Sequence, residues 1–183
     1  AMVELGTSTS NVDLAMSSIY ANNRDLIDDE TDRAFFVRDG VEKHIVGGPE
    51  TGNPPLHPDH EDRGTREIPV SGGVLLEADD VPPHNERVWL KGYGCVRHTR
   101  DAFEYTGDGI DVVREGDVDV VQWVPATDSV PTRMRTMEGD VEGRAEPRVA
   151  IVDEGTMLQF ERVGFVRVDR HDPDETVVYF THP

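Results

Sequence analysis

The sequence is poor in cysteine, lysine and long apolar runs. Cys95 is the only cysteine, so neither a disulfide within the chain nor a thiolate metal cluster can form. No apolar stretch approaches the roughly 20 residues that a membrane-spanning helix needs, and no signal-peptide pattern is present. These absences argue against a membrane protein and against a secreted, disulfide-stabilised one. They predict a protein of the cytoplasm with no membrane partner.

Positive charge is also scarce. The chain has 37 acidic and 18 basic residues, a formal charge of −19, and Lys43 and Lys91 are its only lysines. Apolar residues recur along the chain, so we expect it to fold, and the excess of carboxylates indicates adaptation to a very salty cytoplasm. At molar salt the Debye length falls to about 3 Å. Acidity therefore does not exclude an RNA partner, but it predicts a few placed contacts instead of a basic patch.

Apolar residues fall at helical spacing only near the N-terminus, where the pattern predicts a helix over residues 12–22. After Thr31, short alternating segments are separated by Gly, Pro, Asn or Asp. We predict strands over residues 34–38, 41–46, 66–70, 73–77, 87–91, 95–100, 103–106, 118–124, 132–137, 148–152, 157–161, 163–169 and 176–181. This is more than one small barrel uses, so we expect an all-β chain of two linked antiparallel barrels preceded by one short α-helix. No internal repeat is visible.

No group of residues in the sequence suggests catalysis or metal binding. The phosphate-binding pattern GxxxxGK[ST] is absent. His57 and His60 lie close together beside acids, but they lack a third histidine or cysteine at a recognised spacing. A capped loop is the better interpretation of these histidines. We expect no catalytic residue, no metal and no bound cofactor in this chain.

One hairpin is of special interest. Over residues 158–169 apolar and polar residues alternate around a tight turn at Gly164, with Arg162 at the bend. Two other cations, Arg33 and Lys91, also lie at strand edges. Such side chains can bind nucleobase edges or phosphates. Taken singly, each is better interpreted as a surface residue that bridges to a nearby acid.

The order of the segments resembles a known family. The matching motifs, in chain order, are Ser18-Ile19-Tyr20-Ala21-Asn22-Asn23-Arg24, Arg33-Ala34-Phe35-Phe36-Val37, His57-Pro58-Asp59-His60, Gly64-Thr65-Arg66-Glu67-Ile68-Pro69-Val70-Ser71-Gly72, Val121-Gln122-Trp123-Val124, Val130-Pro131, Gly143-Arg144-Ala145-Glu146-Pro147, residues 158–169 and Tyr179-Phe180-Thr181-His182. From about Asn11 to its end, the chain is similar to the C-terminal anticodon-binding region of archaeal-type glutamyl-tRNA synthetases, which are related to glutaminyl-tRNA synthetases. Each motif alone is weak, and their ordered series is specific.

The resemblance implies a fold and a division of the chain. Both barrels would be of the ribosomal-protein-L25-like kind. Residues 1–30 would hold the connector helix, residues 31–94 with 152–183 the proximal barrel, and residues 95–151 the distal barrel. The proximal barrel would therefore be discontinuous in sequence.

The resemblance also implies a site. Arg33 matches an arginine for the first anticodon base and Arg162 one for the third, while Lys91 falls where glutaminyl relatives carry an arginine for the middle base. A lysine lacks the planar guanidinium fork, so two-point recognition is not expected there. The parent enzyme would use ATP to join glutamate to tRNA. This chain would bind tRNA with a glutamate anticodon, or a glutamine one as well, and would lack the catalytic half. The start at Ala1-Met2 also suggests a piece of a longer protein.

Two other functions remain open from the sequence. The chain could be a freestanding L25-like barrel protein that binds ribosomal RNA. It could also be a protein-interaction module with no RNA role.

Overall fold

The computed structural model describes residues 27–70 and 72–183. The predicted helix over residues 12–22 lies outside them. Residues 27–30 are helical, and a second helix covers Asp111–Arg114. The strands are β1 Asp32–Ala34, β2 Phe36–Val37, β3 Gly40–Val46, β4 Thr51–Gly52, β5 Ile68–Pro69, β6 Val74–Glu77, β7 Arg87–Leu90, β8 Gly94–His98, β9 Ala102–Tyr105, β10 Val120–Val121, β11 Val124–Pro125, β12 Val130–Thr136, β13 Gly139–Ala145, β14 Met157–Phe160, β15 Gly164–His171 and β16 Thr176–His182.

Fourteen of these strands form two seven-stranded, barrel-like sheets. Barrel 1 has the order β10-β7-β8-β9-β3-β6-β11, and barrel 2 has the order β1-β14-β15-β16-β12-β13-β2. Strands β4 and β5 pair separately. The prediction of an all-β chain with two barrels is confirmed.

The two barrels share one topology. Along either order, the successive pairings are parallel, antiparallel, antiparallel, parallel, antiparallel and antiparallel. The correspondence extends to the register, because Val121 pairs with Leu90 in barrel 1 as Ala34 pairs with Phe160 in barrel 2. The chain therefore contains a structural repeat that its sequence does not display.

In each barrel, the two edge strands follow one another directly in the chain. In barrel 2 the edge strands β1 and β2 are separated by Phe35 alone, and in barrel 1 the edge strands β10 and β11 are separated by Gln122 and Trp123. Barrel 2 is discontinuous, since β1 and β2 precede barrel 1 while its other strands follow it. The expected division placed residues 95–151 together in a distal barrel. The observed strands of that range separate, because β8 and β9 pair within barrel 1 and β12 and β13 within barrel 2.

The two hydrophobic cores meet at the segment that holds β1 and β2. Ala34 and Phe36 lie in the core of barrel 2, whereas Phe35 between them packs into the core of barrel 1. Successive side chains of an extended segment point to opposite faces, so one strand can serve both barrels. Phe36 stacks on Phe160, with ring centroids 4.8 Å apart.

A buried ion pair joins the barrels beside this segment. Glu146, fully buried after β13, accepts from Arg66 Nε at 2.7 Å and Nη2 at 3.0 Å, and from the Phe35 N–H at 2.8 Å. Burial raises the pKa of the Glu146 carboxyl, and the charge of Arg66 opposes that rise. The three donors thus favour the ionised carboxylate against the cost of its burial.

Some predicted elements differ from those observed. A strand is predicted over residues 148–152, but residues 148–150 belong to a 3₁₀ turn over Pro147–Ala150. Pro147 lacks an N–H and therefore suits the first position of a helical turn. Strand β13 was not predicted, because Val141 is its only large apolar residue and its pairing with β12 decides its conformation.

Candidate functional site

Strands β14 and β15 form the hairpin predicted over residues 158–169. Its turn comprises residues 161–163 and is closed by the Val163 N–H donating to the Phe160 carbonyl at 3.0 Å. Gly164 is the first residue of β15, so the bend lies just before it. Arg162, at the middle of the turn, has φ +65°, in the left-handed region that favours glycine.

Barrel 1 carries an equivalent turn between β7 and β8, over residues 91–93. The Tyr93 N–H donates to the Leu90 carbonyl at 2.9 Å. Gly92, with φ +74°, corresponds to Arg162, and Lys91 corresponds to Glu161. The two turns touch, because Lys91 Nζ lies 2.8 Å from Glu161 Oε1.

Arg33 reaches the same place from the other end of the chain. Strand β1 runs parallel to β14, where Arg33 lies opposite Gln159. Its backbone N–H donates to the Leu56 carbonyl at 2.7 Å. Its guanidinium pairs with Asp28 at 2.6 Å, and the side chain is largely buried. The fold therefore holds Arg33 firmly beside the β14–β15 hairpin.

The three cations predicted from the sequence line one cavity of about 420 Å³ between the barrels. Its lining residues are Arg33, Pro58, Lys91, Val120, Val121, Gln122, Gln159, Glu161 and Arg162. The volume is within the range of small-ligand sites. Cationic groups and an apolar wall thus face one space, an arrangement that can hold a flat polar ring and an adjacent anion.

Each of these cations does bridge to an acid, as the alternative interpretation expected. Besides the Arg33–Asp28 and Lys91–Glu161 pairs, Arg162 Nη1 contacts both carboxylate oxygens of Asp80 at 2.6 and 2.7 Å, and Nη2 donates to the Val120 carbonyl at 3.3 Å. The hydrogen bond to Asp80 raises the pKa of the Arg162 guanidinium. The acids hold the cations in place, and a ligand must compete with them.

Sequence reasoning missed two amides in the same cavity. Gln122 and Gln159 are the only glutamines of the chain, and each lies between two apolar residues. Gln122 Nε2 and Gln159 Oε1 are buried and have no hydrogen-bond partner among the described residues. The sequence did carry a signal, because each glutamine stands between apolar residues, and an amide that is buried in such a stretch needs a hydrogen-bond partner.

A second cavity of about 510 Å³ adjoins the first, and both are lined by Val120, Val121 and Arg162. Its other walls carry carboxylates: Asp79, Asp80, Glu86, Asp117 and Asp119. Arg162 stands at the boundary between a cation-rich space and an acid-rich one. The acid-rich side disfavours phosphate.

The paired histidines have structural roles. His57 is buried, its Nδ1 accepts from the Asp59 N–H at 3.1 Å, and its Nε2 therefore donates to the Asp28 carbonyl at 2.6 Å. Within residues 27–70 and 72–183, no group of three or more His, Cys, Asp or Glu side chains is placed to hold a metal. In the same residues no helix is long and apolar enough to span a membrane.

Two family profiles match the chain, and they carry the same description. Residues 31–115 and residues 120–169 each match "tRNA synthetases class I (E and Q), anti-codon binding domain". The matched ranges include the Arg33, Lys91 and Arg162 of the cavity.

Whole-chain similarity extends to proteins named glutamate–tRNA ligase. The chain is 65% identical to that of Haloarcula marismortui over 192 residues and 64% identical to that of Natronomonas pharaonis over 183 residues. The protein of the same name from Methanocorpusculum labreanum is 34% identical over 184 residues. These alignments cover all of this chain and 33%, 32% and 32% of the relatives. The chain thus spans about a third of the length of the curated relatives it matches.

Proposed function

The chain belongs to the family of anticodon-binding domains of class I tRNA synthetases for glutamate and glutamine, and on this premise we propose that it is the anticodon-binding part of a glutamate–tRNA ligase. The whole enzyme joins glutamate to tRNA with ATP in the cytoplasm, and this chain recognises the anticodon while the rest of the enzyme performs the chemistry. The observation that carries the proposal is the convergence of Arg33, Lys91 and Arg162 on one cavity between the barrels.

The charges at the site suit RNA recognition in concentrated salt. The molecule as a whole is strongly acidic, so long-range attraction of RNA is absent and short contacts must supply the affinity. The cavity offers such contacts. An unstacked base can lie against Val120 and Val121 while a cation binds its polar edge or its phosphate.

The three cations take separate parts in this proposal. Arg33 contacts the first anticodon base, Lys91 the middle one and Arg162 the third. The guanidinium groups offer two parallel donors to a base edge, whereas Lys91 offers a single charged point. The middle base is therefore the one read least strictly by these cations.

Replacing Arg162 tests the proposal. We expect Arg162→Ala to weaken binding of a glutamate tRNA transcript by about 1–3 kcal/mol, the value of one good base contact. The measurement is equilibrium binding of the chain to that transcript and to one with a changed anticodon, both in molar KCl. The preference for the glutamate anticodon should fall together with the affinity.

Arg170→Ala is the matched control. Arg170 is also an exposed arginine of the β15 region with an aspartate partner, but it does not line the cavity. It should bind like the unchanged chain. If the Arg162 and Arg170 variants behave alike, the role of Arg162 is wrong. If the unchanged chain binds ribosomal RNA and shows no anticodon preference, the freestanding rRNA-binding function replaces the proposed one.

A further inference from the structure

The side-chain amide of Gln122 is buried, and its Nε2 donor has no hydrogen-bond partner among the described residues. Its side chain is 2% exposed and lies between the edge strands β10 and β11 of barrel 1. Oε1 accepts from the Phe36 N–H at 3.2 Å, across the junction with barrel 2. A backbone N–H can donate only to the oxygen of an amide, so this bond fixes which end of the side chain is Nε2.

Among the described residues, the other end of the amide has no partner beside the cavity that the three cations line. Gln122 lines this cavity, and Nε2 has no partner among the residues that the structure describes. A buried N–H group without a partner is costly, and such groups in a folded protein call for an explanation. A ligand in the cavity that carries an acceptor atom would satisfy it.

The fold itself does not require a glutamine here. Between its edge strands barrel 2 has Phe35 alone, an apolar and fully buried residue, where barrel 1 has both Gln122 and Trp123. The same topology thus accepts a residue with no hydrogen-bonding side chain. The polar amide of Gln122 is a feature of this particular site.

The surroundings favour a neutral acceptor. Gln122 carries no charge, and Val120 and Val121 form the neighbouring wall of the cavity. An anion brought to this depth would lose its hydration with no charge on the amide to compensate. Phosphates are better placed beside the exposed Arg162 and the half-buried Lys91.

We propose that Gln122 is a specificity-determining residue whose Nε2 donates a hydrogen bond to a carbonyl oxygen of one unstacked anticodon base. This inference rests on the proposed function. It adds an uncharged contact to a site otherwise dominated by cations, and it means that the junction between the barrels takes part in recognition.

Two substitutions separate the donor from the rest of the side chain. Gln122→Glu keeps an oxygen for the Phe36 N–H and removes the N–H₂ group, while Gln122→Met removes both polar atoms without adding charge. We expect both variants to bind a synthetic glutamate anticodon stem-loop about five- to ten-fold more weakly in molar KCl, the value of one hydrogen bond. Thermal melting checks that each variant is folded.

Abasic RNAs identify the ligand atom. Each anticodon base is removed in turn, which leaves the phosphate in place. For one of the three RNAs, the Gln122 variants should bind as well as the unchanged chain, because the base that accepts the bond is gone. A loss that persists with all three RNAs overturns the assignment to a base, and so does a folded variant with no loss.

The outcome also distinguishes this inference from the function on which it rests. If the unchanged chain prefers the glutamate anticodon and the Gln122 variants match it, only the role of Gln122 fails. If the unchanged chain shows no anticodon preference, the proposed function fails first.

Discussion

At the scale of the residue, the conformation of Arg162 is the strongest local sign of function. A non-glycine residue with φ +65° is strained, and the equivalent turn of barrel 1 has Gly92 with φ +74°. The turn geometry therefore suits glycine, yet this hairpin carries an arginine. Strain kept at one position is commonly a mark of functional sites, which supports the assignment of Arg162 to the binding cavity.

This strain predicts a difference between two variants that remove the same side chain. Arg162→Gly and Arg162→Ala should lose RNA binding equally, because both lose the guanidinium. The glycine variant should be more stable by about 1 kcal/mol, since alanine retains the cost of the left-handed conformation. Urea unfolding at constant KCl measures the difference. Equal stability of the two variants would mean that the turn is not strained.

At the scale of the element, residues 27–30 are fastened to the loop that carries the two histidines. His57 Nε2 donates to the Asp28 carbonyl, His60 Nε2 lies 2.6 Å from Asp29 Oδ1, and the Asp28 carboxylate holds Arg33. Asp28 thus connects residues 27–30 to Arg33, which lines the cavity. Movement of Arg33 toward a ligand would alter the contacts of the segment.

The Asp29 contact predicts a pH dependence. The hydrogen bond and charge of His60 lower the pKa of Asp29 from its ordinary value of 3.8. A carboxyl whose pKa is lowered in the folded state contributes stability that is complete above the ordinary value and is lost as pH falls through the lowered one. We expect the melting temperatures of the unchanged chain and Asp29→Asn to differ at neutral pH and to converge below pH 3.8.

Asp62→Asn is the control for this experiment. Asp62 lies in the loop that carries His57 and His60, and no ion pair involves it among the described residues. Its melting curve should follow that of the unchanged chain at every pH. A constant difference between the unchanged chain and Asp29→Asn down to the lowest pH would contradict the role of Asp29.

At the scale of the whole molecule, the two barrels form one unit through the segment that holds β1 and β2 and through Glu146. Phe35 packs in one core while its neighbours pack in the other, and the Arg66 guanidinium lies 4.8 Å from the Phe35 ring centroid. The cavity needs both barrels, because Lys91 and Val120 come from barrel 1 while Arg33 and Arg162 come from barrel 2. The junction therefore sets the geometry of the site.

Removing the charge of Glu146 tests this junction. We expect Glu146→Gln to lower the free energy of unfolding by about 3–5 kcal/mol, because Arg66 is left as a buried, unpaired charge. Urea unfolding followed by circular dichroism gives the value. The control, Asp172→Asn, breaks the exposed pair with Arg170 and should change stability by about 0.5 kcal/mol or less. A change that small for Glu146→Gln would show that the pair does not hold the barrels together.

Much of the fold was predictable because strand formation has a local signature. Alternating side chains mark most strands, and turn residues mark their ends. Strand β13 was not predicted because Val141 is its only large apolar residue, so its conformation depends on pairing with β12 and β2. The structural repeat of the two barrels was not predicted either, because the barrels share the order and register of their strand pairs and not their residues.

The candidate site was likewise predictable only in part. Arg33, Lys91 and Arg162 were predictable from an ordered series of motifs, but their common cavity depends on contacts between distant residues. Arg162 and its partner Asp80 are 82 positions apart, and Lys91 and Glu161 are 70 apart. The unpartnered amide atoms of Gln122 and Gln159 became visible only when burial was known.

The sequence by itself determined the all-β class, the acidic surface and the family, because each depends on composition, local alternation or the order of motifs. Only the tertiary structure decided how the strands divide between the barrels and which side chains share the cavity. Those features depend on pairings such as β1 with β14, more than 120 positions apart. A strand's own residues show that it must pair, but the partner is chosen by the free energy of the whole packed molecule.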